Sequence, residues 1–68
     1  MKLVKGLYRA DGCYLRVYVC SIGYACEEYV KAKIILVYPN GGAVERPKYV
    51  KLYYDRITHW QKVGATHG

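Results

Sequence analysis

Three segments of this chain alternate, residue by residue, between aliphatic side chains and tyrosine or basic ones. Leu15, Val17 and Val19 interleave with Tyr14, Arg16 and Tyr18; Val30, Ala32, Ile34 and Leu36 with Tyr29, Lys31 and Lys33; Val50, Leu52 and Tyr54 with Tyr49, Lys51 and Tyr53. Side chains of an extended strand project to opposite faces in turn, so a period of two fits half-buried β-strands. Each aliphatic set then faces a core and each tyrosine-basic set faces away from it. The exception is the end of the middle segment, where Ile35 and Val37 make both sides apolar.

Glycine and proline divide the chain at Gly6, at Asp11-Gly12, around Gly23, at Pro39-Asn40-Gly41-Gly42, at Pro47 and at Gly64. Asp11-Gly12 reads as a tight hairpin between strands over residues 3–9 and 13–20, because glycine supplies the positive φ such a turn requires. Pro39-Asn40-Gly41-Gly42 is the stronger turn signal. It joins a strand ending at Tyr38 to one beginning near Ala43, with Pro47 tolerated at an edge or a bulge. Ala25, Cys26, Tyr29 and Val30 fall at helical spacing, while Val30, Ala32, Ile34 and Leu36 alternate as in a strand. The β-branched run that follows favours a strand from about Tyr29, and a single helical turn over 25–30 is compatible with it. Residues 57–63 read as a last short strand or one helical turn.

With 68 residues, 53% of them hydrophobic and 24% charged, the chain predicts one small domain over residues 1–63 and a flexible tail over 64–68. The expected fold is mostly β: a small antiparallel sheet of four or five strands curled into an SH3-like or OB-like barrel, with one short helical turn as an option. A split sheet carrying one helix is the second choice. A domain of this size removes only about 60% of its unfolded surface from water, which leaves no room for a large active-site cleft. The longest apolar run, residues 34–38, is far short of the roughly 20 residues of a spanning helix. Lys5 stands where a secretory signal needs its apolar stretch, so a cytoplasmic protein with no membrane partner is expected.

Eleven Lys and Arg against five Asp and Glu give a net charge of +6, which favours anionic partners. Nine Tyr, one Trp and no Phe mean that nearly every ring carries a polar handle and suits a surface. Asn40 and Gln61 are the chain's side-chain amides, a scarcity expected of a thermophile. The five acids avoid the tyrosine-basic sets. Asp11 lies in a turn, Glu27 and Glu28 precede the middle segment, Glu45 is beside Pro47, and Asp55 follows the last segment.

The alternating rings and cations therefore predict a face for RNA or single-stranded DNA, with bases stacking on tyrosines and phosphates neutralised between them. The candidate residues are Tyr14, Arg16, Tyr18, Tyr29, Lys31, Lys33, Tyr49, Lys51 and Tyr53. Arg46, Lys48 and Arg56, with Lys2, Lys5 and Arg9, are expected as weaker phosphate contacts. Such a protein would be a small basic ribonucleoprotein component. The same tyrosines also suit a protein–protein interface: a homodimer, a subunit contact or a virus-encoded inhibitor.

No catalytic residue is assigned, and the chain is not expected to be an enzyme. Glu27 and Glu28 would point apart if extended, Gly41-Gly42 lacks the Lys-Ser/Thr of a phosphate loop, and Ser21, Thr58 and Thr66 have no sequence-placed base. Cys13, Cys20 and Cys26 match no zinc spacing, and His59 and His67 have no third ligand, so no metal or cofactor is expected. The cysteines read as small buried residues. A disulfide, if present, would join Cys20 to Cys26 across a chain reversal over residues 21–25. Trp60 reads as a core plug rather than a stacking residue at the rim.

Overall fold

The computed structural model describes residues 3–65. In chain order it contains β1 (Gly6–Arg9), β2 (Arg16–Ala25), β3 (Tyr29–Val37), β4 (Lys48–Tyr53), the single-turn helix α1 (Tyr54–Ile57) and β5 (Gln61–Gly64). The strands form one antiparallel sheet in the order β4-β3-β2-β1-β5. Four strands meander, and the last returns to pair with the first.

Both of the strongest turn signals form turns, but Asp11-Gly12 lies within a connection over residues 10–15 and not in a tight hairpin. Between β1 and β2, Gly12 takes φ +76° and the Cys13 N–H donates to the Ala10 carbonyl at 3.2 Å. After β3, the Gly41 N–H donates to the Tyr38 carbonyl at 2.8 Å, with Pro39 and Asn40 between them. Gly41 takes φ +98°, and Asn40 Oδ1 accepts a bond from the Gly42 N–H at 3.0 Å. Val37 bridges Ala43, but regular pairing resumes only where Lys48 stands opposite Ile34. Pro47, which has no N–H to give the ladder, lies in the interruption.

One face of the sheet carries the core. Tyr8, Val17, Val19, Val30, Ala32 and Ile34 are buried there together with Leu3 and Ile57, and Leu36, Val50, Leu52, Tyr54 and Trp60 pack around them. The aliphatic sets therefore share one side, as their alternation requires. The Tyr8 hydroxyl donates to the Val4 carbonyl at 2.7 Å, and the Tyr8 ring lies 5.9 Å from that of Trp60. This fastens the segment before β1 and the start of β5 to the same core.

Several expectations need correction. Among the described residues no ladder joins β4 to β5, so the sheet is open and not a closed barrel. Tyr54 continues directly from β4 into α1, which turns Ile57 into the core. Leu3, Ile57 and Trp60 cover the apolar face that closure would otherwise have covered. The first strand begins at Gly6 and the second at Arg16, later than expected, although Leu3 is still buried.

The chain does not reverse around Gly23. β2 runs through it to Ala25, with bulges between Val19 and Ser21 and between Ile22 and Tyr24. The reversal comes at residues 26–28, closed by the Cys26 N–H donating to the Tyr29 carbonyl at 2.9 Å, and no helical turn forms there. With residues 21–25 extended, Cys20 and Cys26 are separated along the strand. All three cysteines are free thiols, and none is buried: Cys13 is exposed, and Cys20 and Cys26 are half-buried. Residues 57–63 hold both alternatives in sequence, the end of the helical turn and then a strand. That strand includes Gly64, which pairs with Leu7; residues 66–68 of the expected tail lie outside the described residues.

Candidate nucleic-acid interface

The side of the sheet away from the core is organised by β3 and β4, whose register aligns the sequence-predicted residues rung by rung. Tyr29 stands opposite Tyr53, Lys31 opposite Lys51, and Lys33 opposite Tyr49. The Tyr29 and Tyr53 ring centroids are 5.4 Å apart, and the Lys51 ammonium sits 5.0 Å from the centroid of the Tyr29 ring. That contact contributes about 0.5–1 kcal/mol at an exposed site. It partly offsets the repulsion of two lysines placed directly across from each other.

A further ring comes from β2. Tyr24, aligned with Lys31, brings its centroid 6.2 Å from that of Tyr29, so Tyr24, Tyr29 and Tyr53 form a row across three strands. Sequence reasoning missed Tyr24 because Gly23 was read as a turn. The signal that finds it is the alternative meaning of a glycine in a strand, a bulge or a close approach. A Cβ at Gly23 would lie 3.2 Å from the Lys31 carbonyl oxygen and 3.3 Å from Cε1 of Tyr49. The bare glycine thus lets the Tyr49 ring reach from β4 over β2. Tyr24, Tyr49 and Tyr53 are 58%, 54% and 40% exposed, so their rings are open to a partner.

Tyr18 and Arg16 share this side of the sheet, being opposite Ile35 and Val37, but they are half-buried and lie farther along the strands. Arg16 donates through Nη1 to the Tyr14 carbonyl at 3.1 Å. Arg9, across from Arg16, donates through Nη2 to Gln61 Oε1 at 2.7 Å. The other predicted contacts are not brought to the row. Tyr14 precedes β2, so alternation does not govern it; it lines a groove with Val17 and Leu36, residues of the core side. Lys48 is aligned with core-facing Ile34 and forms an ion pair with Glu45 at 3.2 Å. Arg46 is exposed ahead of β4, Arg56 is exposed on α1, and Lys5 is exposed before β1. Lys2 lies outside the described residues.

Charge is distributed unevenly along this face. Beyond the ring row, at the end of the sheet, Glu27, Glu28 and Asp55 line a depression together with Tyr53 and Tyr54. Glu27 and Glu28 share it because they form a hairpin tip instead of an extended segment. On the other side of the row come Lys31 and Lys51, then Lys33. Among the described residues Glu45–Lys48 is the one ion pair, so these three lysines have no carboxylate partner.

On the opposite side of the sheet, a groove of about 490 Å³ is lined by Tyr14, Leu15, Val17, Leu36, His59 and Trp60, with Ala10 and Cys13. Trp60 is half-buried, packed on the core and also forming this groove's wall. Among the described residues no group of three or more His, Cys, Asp or Glu side chains could hold a metal ion, and His67 lies outside them. No helix among them is long and apolar enough to cross a membrane.

Fold and face together define a small open-sheet β protein, aliphatic on one side and lined on the other with tyrosine and lysine, except where Ile35 and Val37 are buried at the far end of β3. Comparison with known proteins finds no matching family model, no matching curated protein and no matching solved structure.

Proposed function

We propose that this protein binds nucleic acid, RNA or single-stranded DNA in preference to duplex, through the face formed by Tyr24, Tyr29, Lys31, Lys33, Tyr49, Lys51 and Tyr53, without catalysis. The observation that carries this reading is the Lys31–Lys51 rung. Two lysines stand directly across from each other, flanked by tyrosine rings and without a carboxylate partner. A like-charged rung is unfavourable in the isolated sheet and becomes favourable when an anion lies between its members. Rings on either side offer π faces, each worth about 1–3 kcal/mol to a stacked base. On the same reading the protein is a cytoplasmic ribonucleoprotein component, from a thermophile by its amide-poor composition.

Rings and charges make separable contributions. Tyr53→Ala or Tyr24→Ala lowers affinity about tenfold with little change in salt dependence. Lys51→Ala lowers the slope of log affinity against log salt by about 0.7, the value for one phosphate of a single strand. Fluorescence anisotropy at several salt concentrations measures both. Equal slopes for the three variants would contradict this division. A self-association that persists between about 50 and 200 mM salt, with no oligonucleotide bound, would instead identify the tyrosines as a protein–protein interface.

A further inference from the structure

We infer that the face admits one phosphate backbone and rejects a second, with Glu27, Glu28 and Asp55 as the residues that discriminate single strands from duplexes. This rests on the nucleic-acid reading above and adds an orientation to it. The lysines aligned with the row Tyr24–Tyr29–Tyr53, Lys31 and Lys51, flank it on one side, and the depression on its other side is lined by carboxylates and tyrosines, with exposed Arg56 of α1 outside that lining. Lys31 and Lys51 lie two residues along their strands from Tyr29 and Tyr53, a spacing of about 6.8 Å. On the other side Tyr53 is shared between the row and the depression lined by Glu27, Glu28 and Asp55. A backbone following the row must therefore run over the lysines, with its bases laid across the rings toward the hairpin tip.

A duplex cannot meet both conditions. Its grooves are walled by two phosphate backbones, about 6 Å apart across the minor groove and about 12 Å across the major. With one wall on Lys31 and Lys51, the other falls toward the three carboxylates. Its paired bases also present edges, not faces, to the rings. A single strand has one backbone and splayed bases, and satisfies the lysines and the rings together. The carboxylates are not a binding site in this scheme; they make the second side of the row repulsive to phosphate.

The test compares a short fluorescent single-stranded DNA, its RNA equivalent and the blunt DNA duplex on the wild-type chain and on Glu27→Gln/Glu28→Gln/Asp55→Asn. A second variant, Asp11→Asn/Glu45→Gln, neutralises the two acids away from the row, a change of +2 against the triple variant's +3, and measures the effect of net charge per unit. Thermal melts of both variants establish that they fold. The expected result is that the triple variant gains about tenfold in duplex affinity but less than about threefold for single strands, since repulsion acts within a Debye length of about 8 Å. The control variant should raise all three ligands alike. Equal gains for duplex and single strand in the triple variant, or a wild-type preference for duplex, would overturn the inference while leaving nucleic-acid binding intact. No binding of any of the three ligands at low salt would instead overturn the parent reading.

Discussion

Gly6 and Gly12 both have positive φ, yet replacing them with alanine should have very different consequences. At Gly12, φ is +76° and an added Cβ meets nothing within 4 Å. The cost is left-handed backbone strain alone, about 1–2 kcal/mol, reduced by about 0.4–1 kcal/mol through the stiffer unfolded chain. At Gly6, φ is +149° and the Cβ would lie 2.5 Å from Lys62 Cε and 2.9 Å from the Gly64 carbonyl oxygen. The lysine stem can swing aside. The Gly64 carbonyl belongs to β5, which among the described residues pairs with β1 alone, so the strand itself must shift.

Backbone strain of about 1–3 kcal/mol and overpacking of about 1–3 kcal/mol place Gly6→Ala near 3 kcal/mol or above. A domain of this length is stable by only about 3–10 kcal/mol. An unfolding entropy of about 2.1 cal/mol/K per residue converts 1 kcal/mol into about 7 °C. Circular dichroism melts should therefore show Gly12→Ala within about 11 °C of the parent and Gly6→Ala about 20 °C or more below it. Amide exchange should show β5 losing protection first. If the two variants melt within about 5 °C of each other, the close packing of β5 against Gly6 does not have the role given to it here.

Val19 is fully buried at the centre of the core, so Val19→Ala should cost about 2 kcal/mol, measured as a urea midpoint shift at unchanged slope. The three thiols should all titrate with a disulfide-exchange reagent after denaturation without reductant. In the folded protein exposed Cys13 should react well before half-buried Cys20 and Cys26. Recovery of a single thiol would show that a disulfide forms after all.

The alternation was enough to read β3 and β4, because each has one aliphatic and one tyrosine-basic set and a clear turn between them. It placed Tyr29, Lys31, Lys33, Tyr49, Lys51 and Tyr53 on one side, and the ladder then brought them into register. β2 was harder. Gly23 looks like punctuation but marks a bulge, and the two bulges of this strand shift its phase at Ser21 and Ile22 before restoring it at Tyr24. Alternation counted from Tyr18 would thus have placed Tyr24 correctly and Ile22 wrongly. Tyr14 failed for the opposite reason, since the alternating pattern continues into residues that precede the strand.

Closure was not readable at all. Whether β4 meets β5 depends on how α1 turns Ile57 inward and on what Leu3 and Trp60 cover, none of which has a local signature. The acidic end of the face was partly readable: the five acids are visibly absent from the tyrosine-basic sets, but only the fold gathers Glu27, Glu28 and Asp55 beside Tyr53.

The most direct measurement is a nuclear magnetic resonance titration of isotope-labelled protein with a short single-stranded oligonucleotide at low salt. Binding through the tyrosine-lysine face predicts that shift changes concentrate at Tyr24, Tyr29, Lys31, Lys51 and Tyr53, and that they fade as salt is raised. Changes centred on the groove of Tyr14 and Trp60, or no saturable change anywhere, would contradict it.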